Sequence, residues 1–207
     1  MTQYSESYYT QNNYASYLER EDRYKRLAED LHYDLFRKIN FDKELKGEAV
    51  LDFGCAVGFL VKALTKLGYD TYGYDISKWA TDYAVKVVKN EEDHIVTEFD
   101  NLCRSSSYKL MIALDVFEHL KEYELHDVLE KVICDYILIR IPVTKKTNEE
   151  YVLQVSENDP THHIRWTKAD WDLFFERHGF TQMFTLNLGS IYDTDGVFCA
   201  MYKNKHE

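Results

Sequence analysis

Short apolar runs of the kind that form strands alternate along this chain with longer stretches whose apolar residues recur at helical spacing. Ala49 to Phe53 is the first run, broken only by Asp52. Leu60, Val61, Ala63, Leu64 and Leu67 follow with helical periodicity, and Gly68 stands where a helix would end. Asp70 to Tyr74 reads as a second strand that runs out into Asp75. Ser77 then caps a helix whose inner face is Trp79, Ala80, Tyr83, Ala84, Val87 and Val88. Further strands are expected over residues 94–99, 110–114 and 136–141, the last stopping at Pro142. Trp166 to Trp171 opens a helix that runs to Gly179-Phe180, with Thr167 and Asp170 at capping-box spacing. Residues 181–188 and 197–202 read as closing strands.

Two segments stand outside this alternation. Residues 1–12 read as irregular, and residues 13–39 as one long helix with Tyr17, Tyr24, Leu27, Ala28, Leu31, Leu35 and Ile39 on one face. Residues 143–165 carry no clear period; a loop of that length is usually functional or mobile, so the segment reads either as part of a substrate cover or as a surface excursion with a short helix or strand of its own around Tyr151 to Val155. Strand–helix alternation from 49 to 142 predicts an α/β architecture with a parallel sheet and crossover helices. The 207 residues suit one domain with a sizeable core.

Composition narrows the partners. Formal net charge is −11, which argues against a nucleic-acid partner, since such proteins present a basic face. No apolar run is long enough to span a membrane, and Met1 to Glu6 lack the basic and apolar regions of a signal peptide, so a cytoplasmic location is expected. The four cysteines have no C-x-x-C spacing, so no zinc site is expected.

Candidate chemistry lies at the strand ends. After the first strand comes Asp52-Phe53-Gly54-Cys55-Ala56-Val57-Gly58, a glycine-bearing turn of the kind that brings backbone N–H groups toward a ligand. A dinucleotide site would want G-x-G-x-x-G, which is absent. Asp52 would repel a pyrophosphate and suits a cationic ligand. Asp75, 23 residues beyond Asp52, is placed to accept the two ribose hydroxyls of an adenosine cofactor. Asp100-Asn101 follows the expected third strand, and Asp115-Val116-Phe117-Glu118-His119-Leu120 the fourth.

This ordered series, with the closing helix, Gly-Phe and strand pair, resembles the class I S-adenosylmethionine (SAM) methyltransferases of the small-molecule or glycan O-methyltransferase type. The resemblance implies a Rossmann-like α/β fold. Its sheet would have seven strands, mostly parallel, with an antiparallel final strand and helices on both faces. Residues 1–45 would form an extra N-terminal helical cover and residues 46–207 the methyltransferase domain. It implies SAM binding by Asp52, Gly54, Cys55, Ala56, Gly58, Asp75, Ile76, Asp100, Asn101 and Asp115. Ala56 stands where the family most often has glycine; a methyl there is tolerated if φ stays negative.

Methyl transfer mainly requires the acceptor to be placed in line with the methyl and water to be excluded. A hydroxyl acceptor also gains from a base, for which His119, His162 and His163 are the candidates. In ubiquinone-type relatives a Glu-x-x-Glu-His segment holds a divalent cation; the matching residues are Asp115, Glu118 and His119, and no metal is assigned to them here. Two other readings compete: an NAD-dependent oxidoreductase, and a non-catalytic SAM-binding scaffold. The acceptor expected is a small molecule or glycan, not a nucleic acid or a membrane.

Overall fold

The computed structural model describes residues 4–11, 16–89, 92–104 and 107–205. Seven strands are present: β1 (Ala49–Phe53), β2 (Asp70–Tyr74), β3 (Ile95–Val96), β4 (Tyr108–Leu114), β5 (Cys134–Pro142), β6 (Phe180–Thr185) and β7 (Val197–Asn204). Their order is β3-β2-β1-β4-β5-β7-β6. β1 pairs with β2, and β2 with β3, in parallel. β7 runs antiparallel to both β5 and β6. The fold expected from the sequence is the one observed.

The chain divides into two compact units, Met1–Lys109 with Leu188–Ser190, and Leu110–Asn187 with Ile191–Glu207. The first holds α1 (Glu6–Thr10), α2 (Glu21–Glu29), α3 (Phe41–Glu44), α4 (Phe59–Lys66), α5 (Lys78–Val88) and α6 (Phe99–Arg104). Ser77 caps α5 by accepting from the Ala80 N–H, as its position predicts. Gly73 in β2 permits close packing on α4: a Cβ there would lie 2.7 Å from Val61 Cγ2 and 2.9 Å from Cys55 Sγ.

The second unit holds α7 (Glu122–Lys131), α8 (Gln154–Glu157) and α9 (Lys168–Arg177). The Thr167/Asp170 capping box is present, with both reciprocal hydrogen bonds made. Trp171 and Phe175 of α9 and Tyr202 of β7 are fully buried and pack as an aromatic core. Truncating a tryptophan in such a core costs about 3–5 kcal/mol. Among the described residues no helix is long and apolar enough to cross a membrane.

Two expectations about elements are corrected. The N-terminal segment is not one helix. α1 forms within the stretch expected to be irregular, a 3₁₀ turn spans Tyr17–Glu19, and α2 continues as a π-helix over Asp30–Phe36. Residues 13–15 of the expected helix lie outside the described residues. The Arg37 N–H reaches five residues back to the His32 carbonyl, and this wider turn lets Leu31, Leu35 and Phe36 all be buried. The third strand is only two residues long; Phe99 instead begins α6, so Asp100 and Asn101 lie in a helix's first turn. The segment 143–165 carries a short helix of its own, α8, and backbone bonds from Thr144 N–H to Trp166 O, Asn148 N–H to Arg165 O and Val152 N–H to Val143 O.

Candidate active site

In the first unit, β1 ends beside β2, with Asp52 opposite Gly73 and Phe53 opposite Tyr74. The chain then turns through Gly54 (φ 82°), Ala56 (φ 48°) and Gly58 (φ 76°). The negative φ expected at Ala56 is therefore not what the turn uses; the residue sits in the left-handed region that favours glycine. The turn's N–H groups bind back onto β2. Gly54 and Cys55 both donate to the Tyr74 carbonyl, at 2.7 and 2.9 Å, and Ala56 donates to Asp75 Oδ2 at 2.9 Å.

Asp75 is the hub of this turn. Its Oδ1 also accepts from the Ser77 N–H at 2.8 Å and from the Tyr9 hydroxyl at 3.4 Å. Burial raises its pKa, and the hydrogen bonds from Ser77, Ala56 and Tyr9 work against that rise. Asp52 is buried too, and burial together with the nearby Asp75 charge pushes it up to about 8. Burial holds the Cys55 thiol well above its ordinary range, which leaves it unreactive. Ile76 is 70% exposed beside these acids. Asp100 and Asn101 are exposed on α6.

The N-terminal tyrosines Tyr9 and Tyr17 are core aromatics, and the structure adds how this segment meets the turn. Tyr9 is buried and stacks on Trp79 with ring centroids 5.4 Å apart. The Ser77 hydroxyl donates to the Tyr4 carbonyl at 2.5 Å. Tyr17 is buried in the same aromatic cluster, with its hydroxyl 2.7 Å from that of Tyr24. Such long-range aromatic pairings carry no local sequence signal.

In the second unit, Asp115 ends β4 with φ 56° and sits 3.3 Å from the Arg140 guanidinium. The next residues form a 3₁₀ turn, Phe117–His119. Glu118 is fully buried, and among the described residues neither of its carboxyl oxygens has a hydrogen-bond partner. Its backbone carbonyl accepts from the N–H groups of His163 and Ile164, which anchors the later segment here. His119 Nε2 lies 4.0 Å from Glu118 Oε1, and His162 Nε2 lies 3.9 Å from it. The two imidazoles meet edge to face at 4.4 Å. His163 joins through its backbone only, with its side chain exposed.

Burial sets the charges in this cluster. It lifts Glu118 well above the carboxylate range, helped by Asp115. It pushes His119 down to about 4, helped by His162, and lowers His162 as well. Both rings are thus neutral at physiological pH. At Asp159 burial pushes upward but is outweighed by hydrogen bonds from Thr161 and by the two histidines, so its pKa ends below the usual value. Glu118, His119 and His162 have ligand atoms all within 4.8 Å of one another, a set that suits a divalent cation. Asp115, which the ubiquinone-type pattern would place in such a set, is paired with Arg140 instead, and His162 takes part in its stead. Spacing along the chain could not have shown this, because His162 arrives from a segment more than forty residues away.

Comparison with known proteins gives the family. The methyltransferase-domain family matches residues 20–187. A ubiquinone biosynthesis O-methyltransferase of Pelagibacter ubique (strain HTCC1062) is 23% identical over 169 residues, covering 78% of this chain and 70% of the relative. Magnesium protoporphyrin IX methyltransferase from Synechocystis PCC 6803, solved with bound S-adenosylhomocysteine, superposes with a TM-score of 0.60 at 16% identity, over 94% of this chain and 90% of that one. The small RNA methyltransferase HEN1 matches with a TM-score of 0.55 at 16% identity, over 83% of this chain and 25% of that one. The chain belongs to the methyltransferase-domain family: it is a SAM-dependent enzyme, and the NAD-dependent reading is set aside.

Proposed function

We propose that this methyltransferase places the methyl group of SAM on an oxygen of a small-molecule or glycan-like acceptor. The observation that carries the oxygen assignment is the buried group of Glu118, His119 and His162, whose two neutral imidazoles offer hydrogen-bond partners to an acceptor hydroxyl. The similarity to an O-methyltransferase supports it.

Cofactor binding is assigned to the turn Gly54, Cys55, Ala56 and Gly58, to Asp75 for the ribose, and to Ile76, Asp100 and Asn101 for the adenine. Asp52 is assigned to the positive charge of the methionine part. The split into a cover at residues 1–45 and a methyltransferase domain at 46–207 is supported within the first unit by the Tyr9 and Tyr4 bonds to Asp75 and Ser77. SAM supplies an activated methyl on a sulfonium. The protein's share is to bind the cofactor, orient the acceptor, exclude water and accept the hydroxyl proton at His119 or His162. His163 assists through its backbone hold on Glu118.

A second reading of the same cluster is favoured by one observation, the buried Glu118 carboxyl without a hydrogen-bond partner. Such a group is expensive unless something compensates it. Glu118, His119 and His162 would then hold a divalent cation of the magnesium or manganese class, whose charge would steady an acceptor oxyanion.

The experiment is a screen of phenols, catechols and sugars with methyl-labelled SAM, followed by mass spectrometry of the product. A labelled methyl group on an oxygen of a small molecule, lost in His119→Ala and in the His162/His163 double-alanine variant, is the expected result. Label in an RNA substrate and in none of the small molecules would overturn the acceptor assignment.

A further inference from the structure

The segment Asp159-Pro160-Thr161-His162 does more than deliver His162 to the cluster. Thr161 is buried, and its hydroxyl stands between two groups: Asp159 Oδ1 at 2.5 Å and His119 Nδ1 at 2.7 Å. Asp159 Oδ1 also accepts the Thr161 backbone N–H at 2.9 Å, so one oxygen takes both donors of the same residue. Pro160 restrains the backbone between them.

A hydroxyl has one proton to give and two lone pairs with which to accept, while a carboxylate can only accept. The short bond to Asp159 therefore takes the Thr161 proton. Toward His119, Thr161 can act only as an acceptor. The hydrogen bond at 2.7 Å then requires a proton on His119 Nδ1. In the neutral ring this leaves Nε2 bare, and Nε2 is the atom turned toward Glu118.

We propose that Thr161 and Asp159 are positioning residues that fix His119 in its Nδ1–H tautomer and so present the Nε2 lone pair to the reaction. This rests on the reading of His119 as an acceptor-side group. The tautomer is what that role needs, whether the lone pair takes a proton from an acceptor hydroxyl or binds a cation. Which ring nitrogen carries the proton is set by the bond its partner nitrogen makes. Without the Thr161 hydroxyl the Nδ1 proton would lose this acceptor, and the preference for the Nδ1–H tautomer would weaken.

The test uses the full chain labelled with ¹⁵N-histidine, without cofactor or acceptor, and reads ring nitrogens in long-range proton–nitrogen correlation spectra. His119→Gln assigns the signals. The expected wild-type spectrum has a pyrrole-type Nδ1 and a pyridine-type Nε2 on His119. Thr161→Ser should keep that pattern, and Thr161→Val should lose it. With acceptor in hand, Thr161→Val should lower kcat at least tenfold with KM for SAM unchanged, and Thr161→Ser should restore it. A wild-type His119 protonated on Nε2 overturns the proposal even if no variant folds. So does an unchanged spectrum in Thr161→Val. Full turnover in a Thr161→Val enzyme whose ring has changed tautomer would instead overturn the role given to His119 and leave the tautomer assignment standing.

Discussion

Cofactor affinity should depend on pH through Asp52. Its pKa is pushed up to about 8 by burial and by Asp75, so at pH 7 the carboxyl of the free protein is mostly protonated. SAM carries positive charge on its sulfonium and its ammonium. A carboxylate about 4 Å from such a charge gains roughly 4 kcal/mol at an effective dielectric near 20. Ionising Asp52 costs about 1.4 kcal/mol at pH 7 and about 2.7 kcal/mol at pH 6, one pKa unit being 1.36 kcal/mol. The attraction exceeds the cost, so binding should expel the proton. Apparent affinity should then rise about tenfold per pH unit between 6 and 8 and level off above. Calorimetry at pH 6.5 in two buffers of different ionisation enthalpy counts the protons; close to one should leave per SAM bound. The ligand's own amine, with a pKa of about 7.7–8.0, stays protonated at that pH and adds nothing. Asp52→Asn should release none and show no such slope. Equal proton release from wild type and Asp52→Asn would refute the linkage.

Three further outcomes are expected. Ala56→Gly should stabilise the protein by about 0.5–1 kcal/mol in urea unfolding, because relief of left-handed strain outweighs the added chain entropy; a loss of stability would mean that the turn is unstrained. Asp75→Ala should weaken SAM binding by roughly 1–3 kcal/mol and also destabilise the unliganded fold, since the Ala56 and Ser77 N–H groups lose their acceptor; unchanged SAM affinity would reject the ribose assignment. Glu118 has a raised folded pKa, so its ionisation adds no cost below the ordinary carboxylate pKa, and stability is lost as pH rises from there toward the folded pKa. Glu118→Met should therefore be more stable than wild type at pH 8 by roughly 1–4 kcal/mol, with the gap closing toward pH 4. Millimolar magnesium or manganese should raise the melting temperature of wild type and not of the variant, and an equal rise in both would remove the cation reading.

Most of the framework could be read from local pattern. β1 and the run into Asp75 follow from short apolar stretches ending in acids, and the Thr167/Asp170 box from a three-residue spacing that only a helix start satisfies. The elements that misled are those where local signal is weak. His94 to Phe99 has strand composition, yet pairing with β2 engages only Ile95 and Val96 before α6 begins. The long apolar stripe over residues 17–39 hid a change from 3₁₀ to α to π geometry, because each serves the same buried face.

The sequence by itself determined the alternation of strands and helices, the acids at the ends of β1 and β2, and the family to which they belong. These rest on interactions within a few residues, where periodicity and capping speak directly. Tertiary structure decided the rest. It put Ala56 in a glycine's conformation, laid the Tyr9 hydroxyl on Asp75 66 residues away, and closed Thr161 onto His119 across 42. It also moved the Asp52 and His119 pKa values in opposite directions, to about 8 and about 4. Burial disfavours whichever form is charged, so the same loss of water keeps a carboxyl protonated and an imidazole neutral. How much water each loses depends on the packed chain around it, which no single stretch of sequence records.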